Sequence, residues 1–299
     1  MISHLVFFLL FETFQPSYGT LIGLLPANVV ISARAHPAAS GAKMPIKKGI
    51  STSPVVDAQS IFAFDRTAGA PLFIRNIFER RPMASIAKLV TAMVILDHHA
   101  LDEKTVVSHN AATQEGSKMG LKSGEEITVE SLLTGLLVDS GNDAATALAE
   151  FDADTEENFV IKMNEKAQTL NLMDTNFSNA KGFDEPGNYS TAADVMTFSL
   201  AALEYPFIRK TVSIKTGEVT SASGKTKHPL ESTNELLENP YFNVVGLKTG
   251  STPEAGQSFV SLLKAPAGHE VLTVVLASPN RFKETKILLD WILRNFEFS

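Results

Sequence analysis

A serine and a lysine three residues apart, Ser85 and Lys88, begin an apolar stretch of the chain. Residues three apart share one face of a helix, so the hydroxyl and the amine are expected to lie side by side. A lysine with a lowered pKa can act as the base that makes a serine nucleophilic. At a helix start, free N–H groups and the positive end of the dipole favour an oxyanion. The pair therefore allows acyl transfer through a serine ester.

The elements that position this pair are predicted from the apolar pattern around it. Pro82 suits the first turn of a helix, where its missing N–H costs nothing. A helix with one buried face is predicted because apolar residues then recur at helical spacing, at Ile86, Leu89, Val90, Met93, Val94 and Leu96.

Two further short elements follow in the chain, Ser140-Gly141-Asn142 and Lys248-Thr249-Gly250. Taken alone, Ser-x-x-Lys describes an N-terminal serine and a solvated lysine in many helices. Taken alone, the other two describe a turn and the end of a strand. All three in this order are the signature of penicillin-binding proteins and class A β-lactamases. The order is what favours a catalytic interpretation.

Composition limits the class of protein. The chain has 299 residues, of which 44% are hydrophobic, enough for one large domain or two small ones. A net charge of −7 argues against nucleic-acid binding. The absence of cysteine excludes disulfides, thiolate metal sites and cysteine nucleophiles. The seven histidines form no His-Glu-x-x-His pattern, so we expect no metal and no cofactor, and we expect His98 and His99 to end their helix in solvent.

The first 50 residues differ from the remainder. Residues 13–33 carry no formal charge and end at Ala33-Arg34-Ala35, which favours an export signal. A membrane anchor, or a start assigned upstream of the true one, are the alternatives, because Pro16 and Pro26 interrupt the apolar region. Residues 35–50 are rich in Ala, Pro, Gly and Lys and predict a linker. We therefore expect a leader and linker over residues 1–50 and a catalytic domain over residues 51–299.

The remaining pattern predicts an α+β fold, with an antiparallel sheet from both chain ends packed against a helical region. A hairpin comes first, then a block of helices, then strands and a closing helix. The predicted strands cover residues 59–65, 71–75, 212–220, 244–248, 258–263 and 270–276. The predicted helices cover residues 128–138, 142–151, 155–170, 191–204 and 282–296, with Ser190 as the N-cap of the fourth.

Over about residues 62–296 the chain resembles the serine-type D-Ala-D-Ala carboxypeptidases, which are low-molecular-mass penicillin-binding proteins of peptidase family S11. The surroundings of the motifs share the resemblance, at residues 84–92, 116–122, 136–144, 182–192 and 246–256. Ala87 and Ala193 depart from the family, which usually has Thr and often Arg there. The resemblance implies a β-lactamase/DD-peptidase-like fold, an extracytoplasmic location, a stem-peptide substrate ending in D-Ala-D-Ala, and acylation by β-lactams.

The resemblance also implies catalytic roles. Ser85 attacks the carbonyl of the terminal D-Ala-D-Ala bond, and Lys88 takes its proton. Ser140 passes a proton to the leaving amine. Asn142 holds Lys88 and the substrate amide.

Substrate-binding roles follow from the third motif. Lys248 and Thr249 bind the terminal carboxylate of the substrate. Gly250 lets the strand approach the substrate closely. The N–H groups of Ser85 and Ser251 form the oxyanion hole. By contrast, Asp143, Asp184 and Asp194 are expected to serve caps and loops.

Three alternatives stay open at this stage. A class A β-lactamase needs a glutamate for deacylation, normally with asparagine four residues later, and none occurs between Ser140 and Ser223. Gly141 also replaces the Asp of that class. A DD-endopeptidase that cuts peptide cross-links shares the motifs. A non-catalytic wall-binding protein would have lost a motif residue, whereas all are intact here.

Overall fold

A five-stranded antiparallel sheet combines strands from both ends of the chain, in the order β3-β2-β10-β9-β8. The computed structural model describes residues 43–49 and 52–299. The predicted export signal lies outside these residues. The strands are β1 (Ile46–Lys47), β2 (Ser60–Asp65), β3 (Ala70–Arg75), β4 (Lys104–Val106), β5 (Glu126–Thr128), β6 (Thr216–Thr220), β7 (Lys227–Glu231), β8 (Val244–Thr252), β9 (Gly256–Lys264), β10 (Glu270–Ser278) and β11 (Phe296–Glu297).

Helices fill the chain between β3 and β6 and close it after β10. They are α1 (Lys88–His98), α2 (His109–Ala112), α3 (Val129–Val138), α4 (Asn142–Ala153), α5 (Glu156–Thr169), α6 (Ala192–Ala202), α7 (Pro206–Thr211) and α8 (Arg281–Asn295). A 3-10 turn, Ala84–Ala87, leads directly into α1. Among the described residues, no helix has the length and apolar character needed to cross a membrane. The α+β prediction is confirmed.

Both faces of the sheet are apolar, and each packs against a different part of the molecule. Phe62 lies beside Val274, which lies beside Val260, and this row packs on the helical region. The neighbouring row of Ile61, Val275 and Phe259 packs under α8. Successive residues of a strand point to opposite faces, so a sheet covered on both sides needs apolar residues at every position. Burying each such side chain contributes about 1.5–3 kcal/mol.

Helix α1 lies at the centre of the helical region, in contact with α3, α4, α5 and α6. The sequence predicts one buried face for this helix. Instead, every residue from Lys88 to Ile95 is buried, because neighbours surround the helix. The consequence is that Lys88 is held away from water on all sides.

The end of α1 also differs from prediction. His99 was expected in solvent, but its Nδ1 lies 3.0 Å from Glu103 Oε2 and its Nε2 lies 3.0 Å from Asp152 Oδ1. The Asp152 side chain is 1% exposed. This aspartate comes from α4, so the contact joins two helices that sequence spacing cannot bring together.

Helix caps follow local chemistry. The side chains of Thr128, Thr155 and Thr191 accept from the N–H three residues later. Ser190 was predicted to cap α6, and this is wrong by one residue: Thr191 is the cap. Ser190 is instead part of a backbone bridge to Arg81, which fixes its backbone outside the helix.

Three predicted boundaries need correction. The strand predicted over residues 212–220 begins only at Thr216, after the short helix α7. Strand β8 continues to Thr252 and does not end at Lys248, because its last residues pair with the start of β9. The domain was expected from residue 51, but β1 already pairs with β11 within the segment predicted as linker.

Candidate active site

The 3-10 turn Ala84–Ala87 holds Ser85 between the sheet and the helical region. Ala84, Ile86 and Ala87 are buried, whereas Ser85 is partly exposed. The buried neighbours anchor the turn in the core, so the serine hydroxyl has a fixed place at the surface of the cleft.

Two glycines allow other segments to contact this turn. A Cβ on Gly250 would lie 2.9 Å from Ala84 Cβ and 3.0 Å from Met83 O. A Cβ on Gly182 would lie only 2.0 Å from Ala84 O. The sequence predicts that Gly250 leaves room for substrate. The atoms nearest to it belong to the serine turn, so the glycine is needed for the protein's own packing.

Lys88 connects the first two motifs. Its Nζ lies 2.7 Å from Ser85 Oγ and donates to Asn142 Oδ1 at 2.7 Å. Asn142 Nδ2 in turn donates to Glu115 O at 2.6 Å, which fixes the orientation of the amide. The sequence predicts these three residues as a group, and the structure brings them together.

Burial lowers the pKa of Lys88 well below its ordinary value, because water no longer solvates the ammonium. The positive charges of Lys248 and Lys181 lower this pKa further, while Asp143 opposes them. A neutral amine beside a serine hydroxyl can accept its proton.

Ser140 precedes α4 in the left-handed region, with φ of 61°. It is 3% exposed. Within the described residues its hydroxyl makes no hydrogen bond to Ser85 or Lys88. Asn142 begins α4, and its N–H donates to Ser117 O at 2.7 Å, which joins the second motif to the loop at residues 115–121.

Asp143 holds the same loop. Its carboxylate accepts from the N–H groups of Met119 at 3.1 Å, Gly120 at 2.9 Å and Leu121 at 3.1 Å. It is fully buried. The prediction that Asp143 serves a loop is confirmed.

Lys248 lies on β8 and is 1% exposed. Burial, together with the nearby charge of Arg281, lowers the pKa of Lys248 to about 7, while Asp139 opposes them. Lys248 Nζ donates to Thr249 O at 3.2 Å, and Arg281 Nη1 donates to Gly250 O at 2.8 Å. Two cations at the same strand make a place suited to a carboxylate.

Sequence reasoning missed Arg281, Lys181 and part of the role of Asp184. Arg281 begins α8, a place that marks no function in the sequence. Lys181 O lies 3.5 Å from Ser85 Oγ. Asp184 accepts from Thr252 Oγ1 at 2.5 Å and from Glu254 N at 3.0 Å, which fastens the loop at residues 176–188 to the end of β8.

The sequence is similar to those of known proteins. The family model described as D-alanyl-D-alanine carboxypeptidase matches residues 47–280. The chain is 34% identical to D-alanyl-D-alanine carboxypeptidase DacF of Bacillus subtilis, over 81% of this chain and 63% of DacF. It is 33% identical to DacD of Escherichia coli, over 81% of this chain and 65% of DacD. The chain thus spans just under two thirds of the length of these relatives.

The fold is similar to that of solved structures. The crystal structure of the Streptomyces K15 DD-transpeptidase is similar with a TM-score of 0.76 and 28% identity, over 82% of this chain and 100% of that one. A D-alanyl-D-alanine carboxypeptidase from Mycobacterium tuberculosis gives a TM-score of 0.75 and 29% identity, over 82% of this chain and 94% of that one. The chain therefore belongs to the D-alanyl-D-alanine carboxypeptidase family, peptidase family S11.

Proposed function

We propose that this protein is a serine-type D-alanyl-D-alanine carboxypeptidase, which removes the terminal D-alanine from peptidoglycan stem peptides. One observation carries the proposal: the Nζ of a fully buried lysine, Lys88, lies 2.7 Å from Ser85 Oγ and from Asn142 Oδ1. A buried amine with a lowered pKa is the base that a serine nucleophile requires.

In the proposed reaction, neutral Lys88 accepts the proton of Ser85 as Oγ attacks the carbonyl carbon of the terminal peptide bond. The N–H groups of Ser85 and Ser251 stabilise the oxyanion, each by about 3 kcal/mol. The C–N bond then breaks, and Ser140 delivers a proton to the amine of the departing D-alanine and takes up the proton that Lys88 accepted, so that both groups are restored. Water attacks the resulting ester, which releases the shortened peptide and restores Ser85.

Binding of the substrate carboxylate falls to Lys248 and Thr249. The neighbouring cation Arg281 supports this role, because its guanidinium donates to the carbonyl of Gly250 on the same strand. A terminal carboxylate is present in a stem peptide and in a β-lactam, so both are expected to bind here and to acylate Ser85.

The proposed location is outside the cytoplasm, where peptidoglycan lies. We propose residues 1–50 as the export signal or anchor and linker and residues 51–299 as the catalytic domain, to which the linker adds strand β1. The DD-endopeptidase remains the nearest alternative, because it would use the same serine and the same base.

The test is the intact mass of the full chain, followed over time with benzylpenicillin and compared with a Ser85→Ala variant. We expect a long-lived adduct of one penicillin on Ser85, no adduct on the variant, and the same melting temperature for both. Consumption of the drug without a lasting adduct would favour a β-lactamase. If there is no adduct and the drug is not consumed, the result would favour a wall-binding protein.

Released D-alanine then separates the two peptidases. A carboxypeptidase releases D-alanine from a linear peptide that ends in D-Ala-D-Ala, whereas an endopeptidase cuts only the cross-linked dimer. Normal D-alanine release by Ser85→Ala would overturn the mechanism.

A further inference from the structure

The turn at residues 179–183 lies beside the nucleophile and is fixed by one side chain. Asn179 Oδ1 accepts from the N–H groups of Lys181 at 3.2 Å, Gly182 at 2.7 Å and Phe183 at 2.9 Å. Asn179 Nδ2 also donates to Phe183 O at 3.2 Å. One side chain therefore makes four hydrogen bonds to the backbone of this turn.

Lys181 contacts two different parts of the molecule. Its carbonyl oxygen lies 3.5 Å from Ser85 Oγ, and its Nζ forms an ion pair with Glu156 Oε2 at 2.6 Å. The Lys181 side chain is 8% exposed. At 3.5 Å this carbonyl packs against Ser85, and the single hydroxyl proton of Ser85 stays available to Lys88.

Glu156 holds the same turn at a second point. Its Oε1 accepts from Ala180 N at 2.9 Å. On the other side, Ala180 O accepts from Thr91 Oγ1 at 2.8 Å, and Thr91 lies on α1 one turn after Lys88. The turn is therefore tied both to the helix that carries the base and to Glu156.

Glu156 lies at the start of a helix. It lies in the first turn of α5, after the N-cap Thr155, where the helix dipole favours a carboxylate. Its two oxygens are both engaged, one by a backbone N–H and one by an ammonium. A carboxylate with two donors on one turn is suited to fixing that turn in place.

We propose that Glu156 and Lys181 are positioning residues for acyl transfer: Glu156 fixes the turn whose Gly182 packs against Ala84 and the N–H of Ser85, and the Lys181 ammonium supplies positive charge that acts on Lys88. This inference rests on the proposed function and adds two residues outside the three motifs. It explains why a buried lysine is paired with a half-buried glutamate next to a site that already holds Lys88 and Lys248.

The charges that face Lys88 give the inference a measurable consequence. Lys248 on β8 and Lys181 lower the pKa of Lys88, and Asp143 on α4 raises it. Since Lys88 must be neutral to accept a proton, acylation rises with pH through its pKa. Removal of the Lys181 charge raises this pKa. The rising limb of the plot of acylation rate against pH must therefore move to higher pH.

The experiment measures the rate of benzylpenicillin acylation of the full chain from pH 5 to 10, by intact mass. We expect Lys181→Met to move the rising limb to higher pH and Lys181→Arg to leave it in place. We expect Glu156→Gln to lower the rate about tenfold at every pH, the effect of one lost charge-assisted hydrogen bond, with no upward movement of the limb.

Lys227→Met is the matched control, because it removes the same charge from an exposed ion pair with Glu218. It should change neither rate nor limb. If Lys181→Met does not fold because Glu156 is left unpaired, Lys181→Gln keeps a donor for Glu156 and tests the same movement of the limb.

An unmoved limb in folded Lys181→Met or Lys181→Gln, or a normal rate in Glu156→Gln, overturns the inference while the adduct on Ser85 remains. Absence of any adduct on the unmodified chain overturns the proposed function instead. The two failures are therefore distinguishable, and a purely structural role of Lys181 would lower the rate without moving the limb.

Discussion

Gly182→Ala tests whether the contact between the turn at residues 179–183 and the serine turn sets the activity. The added Cβ would lie 2.0 Å from Ala84 O and 2.4 Å from Ala84 C. Contacts below 3.0 Å essentially never occur for a real Cβ, so one backbone must move by about 1 Å. A displacement of this size at a reacting group costs about 100-fold in rate. The glycine φ of +83° adds strain of about 1–2 kcal/mol in stability.

The assay is the acylation rate with benzylpenicillin, together with the melting temperature. Gly124→Ala is the matched control, since its φ is +82° and no atom lies within 4 Å of its added Cβ. Both variants should lose about 2–4 °C per kcal/mol of strain, but only Gly182→Ala should lose acylation. Equal acylation rates for the two variants would refute the reasoning.

Three further predictions concern charge. kcat/KM for a peptide ending in D-Ala-D-Ala should fall as pH rises through about 7, the pKa of Lys248, because a neutral amine no longer attracts the carboxylate; a flat profile there would contradict this. Arg281→Gln should move that fall to higher pH, since the Arg281 charge lowers the pKa of Lys248. Asp143→Asn should lower the free energy of unfolding in urea by about 2–4 kcal/mol, because buried N–H groups lose an acceptor. It should also move the rising limb of the acylation rate to lower pH, because Asp143 raises the pKa of Lys88.

Most of the fold could be predicted from local sequence patterns. The predicted hairpin corresponds to β2 and β3, and the helices at residues 128–138 and 142–151 correspond to α3 and α4, because apolar spacing and caps depend on near neighbours. Strand β7 was missed. It contains Pro229 and belongs to a two-stranded sheet, where a proline is tolerated but hides the strand pattern.

The candidate site was only partly predictable. Ser85 and Lys88 share one turn, so their contact follows from spacing. Lys181 reaches Ser85 across 96 positions and Arg281 reaches Gly250 across 31, and no local pattern encodes such contacts. Burial also has no local signal: it sets the pKa of Lys248, and it depends on all the elements packed around β8.

The position of β10 determines when the molecule can become active during synthesis. The three motifs all precede residue 270, yet β10 (Glu270–Ser278) lies between β2 and β9 and joins the N-terminal hairpin to β9, which pairs with the strand carrying Lys248. A chain released from the ribosome before β10 would contain the complete motif set and no assembled sheet. Pairing across some 200 positions is a slow, late event in folding. A premature stop between Gly250 and the start of β10 at Glu270 should therefore yield a chain that penicillin does not label.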